Sequence, residues 1–95
     1  MRQLLIEKYI KPSKKIINGC TISEYYYNKY GDFHSLFNQP SIILYLDGKL
    51  LQKQWHKKGF LHREKKQPSV IYYSSKNEKI IGKQYYKNGE LLNFI

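Results

Sequence analysis

The side chains of this 95-residue chain that could do acid–base, nucleophilic or metal chemistry are few and scattered. His34 and His62 occur at the same position of an internal repeat, which is typical of a structural residue whose ring bonds to the backbone. Cys20 is the single thiol, and no ligand-spaced pair accompanies it, so a zinc site lacks its usual donors. Glu64 follows His62 by two residues, but no acid and histidine have the spacing of a catalytic pair. No nucleophile motif or phosphate loop occurs, so we expect no enzyme, metal or cofactor.

A second chemical pattern combines positive charge with aromatic rings. The chain carries 17 Lys and Arg against 7 Asp and Glu, and residues 49–95 hold +8 of the net charge of +10. Lysines contact phosphates as point charges and exposed aromatic rings can stack on bases, so this pattern suits an anionic partner, either nucleic acid or an acidic protein face. We expect the partner-binding residues to be Lys53, Trp55, Lys57, Lys58, Arg63, Lys65, Lys66, Lys83, Tyr85 and Lys87.

Two observations limit this hypothesis. The chain has only two arginines, so base-specific readout is not expected and nucleic-acid binding would follow the backbone and depend on salt. Lys, Ile, Asn and Tyr make up 42 of the 95 residues, and all four use A/T-rich codons. The alternative is therefore that the lysines form only a solvated face over an aromatic core.

An internal repeat must position these side chains. At an offset of 28 residues, 27–34 match 55–62, and 39–45 match 67–73. Beyond that point the offset becomes 30, and 47–55 match 77–85. The two additional residues fall in a polar stretch, where a loop tolerates extra length. A degenerate partial copy precedes the first full unit.

Each repeat unit has the pattern of a β-hairpin. Tight-turn dipeptides separate β-branched and aromatic segments, as expected for two-residue hairpin loops. The sequence predicts a mainly β protein of one domain, an antiparallel meander of tandem β-hairpin repeats over residues 14–95. Residues 1–13 form an N-terminal capping segment that is either a short helix or an edge strand. The predicted turns are Asn18-Gly19, Asp47-Gly48 and Asn88-Gly89, and the predicted strands are 41–46, 49–57, 69–73 and 79–87.

Strict alternation along these strands predicts which residues share a face. In the first unit, Leu51, Lys53, Trp55 and Lys57 fall on one face of the strand. The equivalent residues of the second unit are Ile81, Lys83, Tyr85 and Lys87. We therefore expect a repeated lysine–aromatic–lysine row on one face of the sheet.

The segment Trp55-His56-Lys57-Lys58-Gly59-Phe60-Leu61-His62-Arg63-Glu64, followed by Pro68-Ser69-Val70-Ile71-Tyr72-Tyr73, resembles a MORN-like repeat variant. Repeats of this type are found in giant viruses, phages and bacteria. The resemblance covers residues 41–92, with a weaker extension back to residue 15. It departs from the family at 66–69, where an acidic turn has become basic. It implies an extended β-hairpin array that makes protein–protein or membrane-surface contacts, and it identifies no particular binding residue.

Together these patterns predict a non-enzymatic interaction protein. A viral or phage accessory factor, such as an inhibitor of a host defence complex, is one expected role. A nonspecific nucleic-acid-binding protein or a small component of a virion or ribonucleoprotein particle is the alternative. No apolar run reaches 18 residues, so we expect no membrane span. The single cysteine excludes an intrachain disulfide, and we expect an intracellular protein with no small-molecule substrate.

Overall fold

The computed structural model describes residues 13–35, 37–64 and 66–94, and these residues form strands and turns with no helix among them. The predicted mainly β fold is confirmed. The prediction for the N-terminal capping segment falls almost wholly outside the described residues. The strands are β1 (Lys14–Asn18), β2 (Thr21–Tyr25), β3 (Ile42–Leu46), β4 (Lys49–Gln54), β5 (His56–Lys57), β6 (Phe60–Leu61), β7 (Val70–Tyr73), β8 (Ile80–Lys87) and β9 (Glu90–Phe94).

Seven of the strands form one antiparallel sheet in the order β1-β2-β3-β4-β7-β8-β9. Strands that are consecutive in the sheet are also consecutive in the chain, apart from β5 and β6, which form a separate two-stranded hairpin. The predicted meander is confirmed. Because the β5–β6 hairpin and the loops around it leave the sheet between β4 and β7, they place side chains beside the sheet rather than within it.

Three of the hairpin turns have positive φ at both central residues, as a type I′ turn requires. Asp47-Gly48 has φ of 52° and 76°, and Asn88-Gly89 has 51° and 84°. The third such turn is Lys58 (φ 51°) followed by Gly59 (φ 89°), which connects β5 to β6.

The first hairpin turn lies one residue later than predicted. Asn18 pairs with Thr21, so Gly19 and Cys20 are its central residues. Only Gly19 has a positive φ, of 61°, which is the φ pattern of a type II′ turn.

A β-bulge interrupts the alternation of side chains at the same place in two successive units. In the β3–β4 pair, Leu44 lies opposite Gln52 and Tyr45 lies opposite Leu50, which leaves Leu51 as the additional residue. The β7–β8 pair has the same shift one unit later. The prediction of strict alternation is therefore wrong at these points.

The core lies where β4, β7 and β8 meet the connecting loops, and much of it is polar. Trp55, Val70 and Ile71 are its buried apolar residues. Ser41 and Ser69, which are equivalent in the two units, are both fully buried.

Both serines bond to the neighbouring strand. The backbone N–H and hydroxyl of Ser41 donate to the carbonyl oxygen of Gln54, at 2.7 and 3.1 Å. The Ser69 N–H donates to the Gln84 carbonyl at 2.8 Å. The Ser69 hydroxyl donates to the Tyr86 carbonyl at 3.0 Å and accepts the Tyr86 N–H at 2.9 Å.

Candidate functional site

Two equivalent histidines join each unit to the next. The Lys58 N–H donates to Nδ1 of His34 at 3.1 Å, and the Asn88 N–H donates to Nδ1 of His62 at 3.0 Å. Lys58 and Asn88 are the first central residues of their type I′ turns. The prediction that these rings bond to the backbone is confirmed. Because each ring accepts at Nδ1, we assign its proton to Nε2.

A cleft of about 330 Å³ is lined by His34, Ser35 and Asn38 of one unit and by His62, Arg63, Glu64 and Gln67 of the next, which come from equivalent stretches of the repeat. We refer to it as the cleft. It brings together all three histidines, although 28 residues separate His34 from His62 along the chain. The ionisable side chains that line it are His34, His56, Lys57, His62, Arg63 and Glu64.

Arg63 and Trp55 form one wall of the cleft. The Arg63 guanidinium carbon lies 3.8 Å from the centroid of the Trp55 ring, which is a cation–π arrangement. Arg63 Nε donates to Oδ1 of Asn38, and Nη1 donates to the carbonyl of Pro68, each at 3.1 Å. The Trp55 indole N–H donates to the Asn38 carbonyl at 2.9 Å. Arg63 is therefore held in one orientation, and burial lowers the pKa of its guanidinium.

The prediction that Trp55 offers an exposed ring to a partner is wrong. The residue is only 4% exposed, because Arg63 covers its face and the Asn38 loop takes its N–H. Trp55 is therefore a buried residue in the wall of the cleft.

His56 lies deep in the cleft. It is 7% exposed, and its Nδ1 is 2.6 Å from the Ser41 hydroxyl. Its ring centroid is 5.2 Å from that of Phe33, and its backbone N–H donates to the Ser35 hydroxyl at 3.0 Å. Burial lowers the pKa of the His56 imidazole to about 4, so the ring is neutral at neutral pH.

Glu64 is the carboxylate of the cleft. Nε2 of His62 donates to its Oε1 at 2.8 Å, and Nζ of Lys57 lies 3.9 Å from the same oxygen. The bond from His62 is the main cause of the lowered pKa of Glu64, and the positive charges of Lys57 and Lys87 act in the same direction. Among the residues that the structure describes, no group of three or more His, Cys, Asp or Glu is placed to hold a metal ion.

Beside the cleft, two lysines lie on one face of the main sheet. Ile71 is opposite Lys53 on one side and opposite Lys83 on the other, so the lysines are two strands, or about 9–10 Å, apart. Nζ of Lys53 lies 5.8 Å from the Tyr73 ring centroid, and Tyr85, two residues after Lys83, is on the same face. We refer to Lys53, Tyr73, Lys83 and Tyr85 as the basic sheet face.

The basic sheet face and the cleft are neighbours. Tyr73 lies close enough to Arg63 for the guanidinium charge to oppose the rise in pKa that burial causes in the Tyr73 phenol. Arg63 also lines the cleft. Arg63 is therefore near both features.

The ten predicted partner-binding residues thus fall into six groups. Lys53, Lys83 and Tyr85 belong to the basic sheet face, and Lys57 and Arg63 line the cleft. Lys87 is exposed at the end of β8, near Glu64. Lys58 and Lys66 are exposed turn residues with positive φ, Trp55 is in the core, and Lys65 lies outside the described residues.

Sequence reasoning missed three residues of the cleft: Asn38, His56 as a buried group, and Glu64 as the partner of His62. The close spacing of His62 and Glu64 was a usable signal, because both lie in one short loop segment. Asn38 and His56 gave no such signal, because the repeat does not preserve these residues. The equivalent positions hold Lys66 and Tyr86.

The chain was compared with protein-family models, with curated proteins and with solved structures, and none of the three comparisons gave a match. The described residues contain no helix long and apolar enough to cross a membrane.

Proposed function

We propose that this protein is a non-enzymatic interaction protein that docks the basic sheet face onto an anionic surface of a macromolecular partner. We also propose that the chain is a MORN-like repeat variant, as its hairpin motif suggests. The observation that carries the docking proposal is the alignment of Lys53 and Lys83 across the sheet at a separation of two strands.

The electrostatics of this surface support the proposal. Neither Lys53 nor Lys83 makes an ion pair within the described part of the chain, whose Lys–carboxylate pairs are Lys15–Glu24 and Lys57–Glu64. Two unneutralised cations at fixed spacing attract an anionic surface and speed its association. Tyr73 and Tyr85 add apolar contact area to the basic sheet face.

The side chains of this surface favour an acidic protein face over the bases of a nucleic acid. Trp55 is covered by Arg63 and cannot stack on a base. Tyr73 and Tyr85 are half-buried, which leaves little of either ring free for stacking. A nucleic acid would therefore be held by its backbone alone.

Nucleic-acid binding is the second candidate, and two exposed rings elsewhere favour it. Tyr30 is 76% exposed and Phe60 is 59% exposed. Nζ of Lys29 lies 5.2 Å from the Tyr30 ring centroid, which pairs a cation with a free aromatic face. Such pairs are typical of surfaces that bind single strands without sequence preference.

Binding measurements with defined anionic probes test the docking proposal. Fluorescently labelled poly-glutamate represents an acidic protein surface, and mixed-sequence DNA and RNA represent the alternative. We expect poly-glutamate to bind more tightly than either nucleic acid, with affinity that falls as salt rises from about 50 to about 200 mM. Absence of binding to all three probes at low salt would overturn the proposal, and preference for DNA or RNA would favour the second candidate.

A matched pair of variants locates the interface. Lys53→Glu with Lys83→Glu reverses the basic sheet face, and Lys76→Glu with Lys79→Glu reverses two exposed lysines of the β7–β8 loop. Each double variant replaces two positive charges with two negative ones and lowers the net charge from +10 to +6. We expect the first pair to weaken poly-glutamate binding about tenfold more than the second. Equal losses would mean that net charge, and not this face, determines binding.

A further inference from the structure

We infer that the cleft is a binding site for a single phosphate group. The inference goes beyond the docking proposal, because neither Lys53 nor Lys83 lines the cleft. The volume of about 330 Å³ is enough for a phosphate together with part of the molecule that carries it, since one water occupies about 30 Å³ in the liquid.

The donors that line the cleft come from three separate segments. Arg63 is fixed by its bonds from Nε and Nη1, and no described residue accepts a bond from its Nη2. His34 accepts the Lys58 N–H at Nδ1, so its Nε2–H is a donor. Lys57 supplies from β5 an ammonium group that lies 3.9 Å from the Glu64 carboxylate and has three N–H donors to share between that carboxylate and a ligand. Because these donors come from three different segments, we expect them to approach a ligand from different directions, which suits a group with several oxygens.

The acceptors of the cleft are largely occupied already. Oγ of Ser35 accepts a backbone N–H, and Oδ1 of Asn38 accepts from Arg63. Oε1 of Gln67 accepts from the Asn38 amide at 3.4 Å. Glu64 is the one carboxylate among the described lining residues, and it accepts from the buried His62 ring. The remaining bonding capacity is therefore mostly that of donors, which favours an acceptor-only anion.

A buried lining residue of the cleft also has a ring nitrogen without a partner among the described residues. His56 is more than nine-tenths buried, and the Ser41 hydroxyl occupies its Nδ1. Its Nε2 makes no bond to a described residue, and the ring lines the cleft. Nε2 can therefore bond to a protonated oxygen of a phosphate monoanion or to a water beneath it.

A carboxylate fits this arrangement less well than a phosphate. Carboxylates pair best with both N–H groups of one arginine edge. In Arg63, Nε and one N–H of Nη1 are already bonded to Asn38 and Pro68, so the guanidinium is not free to present all of its donors. Separate single bonds from Arg63, Lys57 and His34 match the oxygens of a phosphate instead.

The fluorescence of Trp55, the single tryptophan of the chain, provides a readout from the wall of the cleft. The intact protein would be titrated with sodium phosphate, sodium acetate and sodium chloride at equal ionic strength and pH. We expect a saturable change with phosphate, with a dissociation constant on the order of 1 mM, and no saturation with chloride or acetate. No saturable change with phosphate, or an equal response to acetate, would overturn the inference.

Two further ligands distinguish the source of the phosphate. Ribose 5-phosphate carries a monoester, and a dinucleotide without a terminal phosphate carries a diester. Saturation by ribose 5-phosphate alone assigns the cleft to phosphomonoesters, whereas saturation by the dinucleotide extends the site to a nucleic-acid backbone. If neither ligand saturates the Trp55 signal, the inference is contradicted, because the cleft then does not admit a phosphate that is attached to an organic molecule.

Conservative variants separate binding from folding. His34→Asn keeps an acceptor for the Lys58 N–H but removes the Nε2–H donor, and Lys57→Gln removes the ammonium group. Each should weaken phosphate binding about tenfold. Lys76→Gln removes the same charge from the exposed β7–β8 loop, none of whose residues lines the cleft, and should change the affinity less than about twofold. A loss in Lys76→Gln equal to that in Lys57→Gln would show that only net charge is being sensed.

Lys53→Glu with Lys83→Glu keeps the two proposals distinguishable. If it abolishes poly-glutamate binding and phosphate still saturates the Trp55 signal, both proposals hold as separate sites. If the native protein binds poly-glutamate but phosphate does not saturate its Trp55 signal, only the phosphate site is overturned.

Discussion

His62 is bonded at both ring nitrogens and is only 6% exposed. Nδ1 accepts the Asn88 N–H and Nε2 donates to Glu64, so the ring fixes both the next turn and the loop that follows it. Asn88 has a positive φ and its N–H has no strand partner, which makes the ring the acceptor that satisfies this turn.

We predict that His62→Ala lowers the free energy of unfolding by about 2 kcal/mol, because it leaves the Asn88 N–H without its acceptor and opens a cavity. Urea unfolding measures this change. His62→Asn, which can place an oxygen near the position of Nδ1, should recover part of the loss. Equal stability of His62→Ala and the native protein would contradict the role assigned to this ring.

His56 predicts a pH dependence of stability. Its pKa is about 4 in the folded protein and near 6.5 in the unfolded chain, so the unfolded state binds more protons between these values. The contribution of the neutral His56 ring to the free energy of unfolding should be fully present above about pH 6.5. It should be lost as the pH drops toward 4, by about 2–3 kcal/mol in total. Urea unfolding across this range measures the loss.

His56→Asn serves as the control, because it removes the titrating ring while retaining a polar partner for Ser41. Its stability should change less between pH 6.5 and 4.5 than that of the native protein. The contribution of Glu64 can be separated from that of His56. The pKa of Glu64 is lowered in the folded protein, so its contribution to stability is lost only as the pH falls below 4.5, its ordinary pKa. An unchanged slope in His56→Asn would assign the pH dependence to other groups.

Two turn glycines have the same backbone requirement but different surroundings. Gly48 has a φ of 76°, and a Cβ there would meet nothing within 4 Å. Gly89 has a φ of 84°, and a Cβ there would lie 3.0 Å from Cδ1 of Phe60. Phe60 belongs to the preceding hairpin, so successive units pack closely at Gly89.

We predict that Gly48→Ala costs about 1 kcal/mol through the left-handed backbone alone, and that Gly89→Ala costs about 2 kcal/mol or more. Thermal or urea unfolding of the two variants measures the difference. Phe60→Ala combined with Gly89→Ala should reduce the additional cost, because it removes the ring that the new methyl group meets. Equal costs for the two glycines would show that the Phe60 contact does not constrain the turn.

The strands and most of the turns could be predicted because their signals are local. Asp47-Gly48 and Asn88-Gly89 tolerate positive φ by residue type, so the dipeptides alone locate the hairpins. The turn at Lys58 gave no such signal, since a lysine at positive φ is uncommon. Its N–H is satisfied by His34, which is 24 residues away, and this partner is visible only in the fold.

The faces of the strands were harder to predict than their bounds. A bulge at Leu51 depends on how β4 pairs with β3, so alternation within β4 could not place Leu50 and Lys53 on the same face. Trp55 was predicted to be exposed for a similar reason. Arg63 and Asn38, which contact its ring, belong to other segments of the chain, and these contacts exist only in the fold. The cleft was not predicted, because it forms only where two equivalent loops of the repeat come together in the fold.

The whole molecule carries more positive charge than its internal pairs neutralise. The net charge is +10, and the described part of the chain contains two Lys–carboxylate pairs. Like charges held close together in the folded state repel one another more than they do in the expanded unfolded chain. Added salt screens this repulsion over distances beyond the Debye length, which is about 10 Å at 0.1 M.

We therefore predict that stability rises with salt. The free energy of unfolding should increase by about 1 kcal/mol between about 20 and about 300 mM sodium chloride, because screening relieves repulsion more than it weakens the few ion pairs. Urea unfolding at the two salt concentrations measures the change. Lys53→Gln with Lys83→Gln lowers the net charge to +8 and should reduce the gain, since it removes two of the cations that repel each other across Ile71. A fall in stability with added salt would mean that attractive ion pairs, and not repulsion between lysines, dominate the electrostatics of the fold.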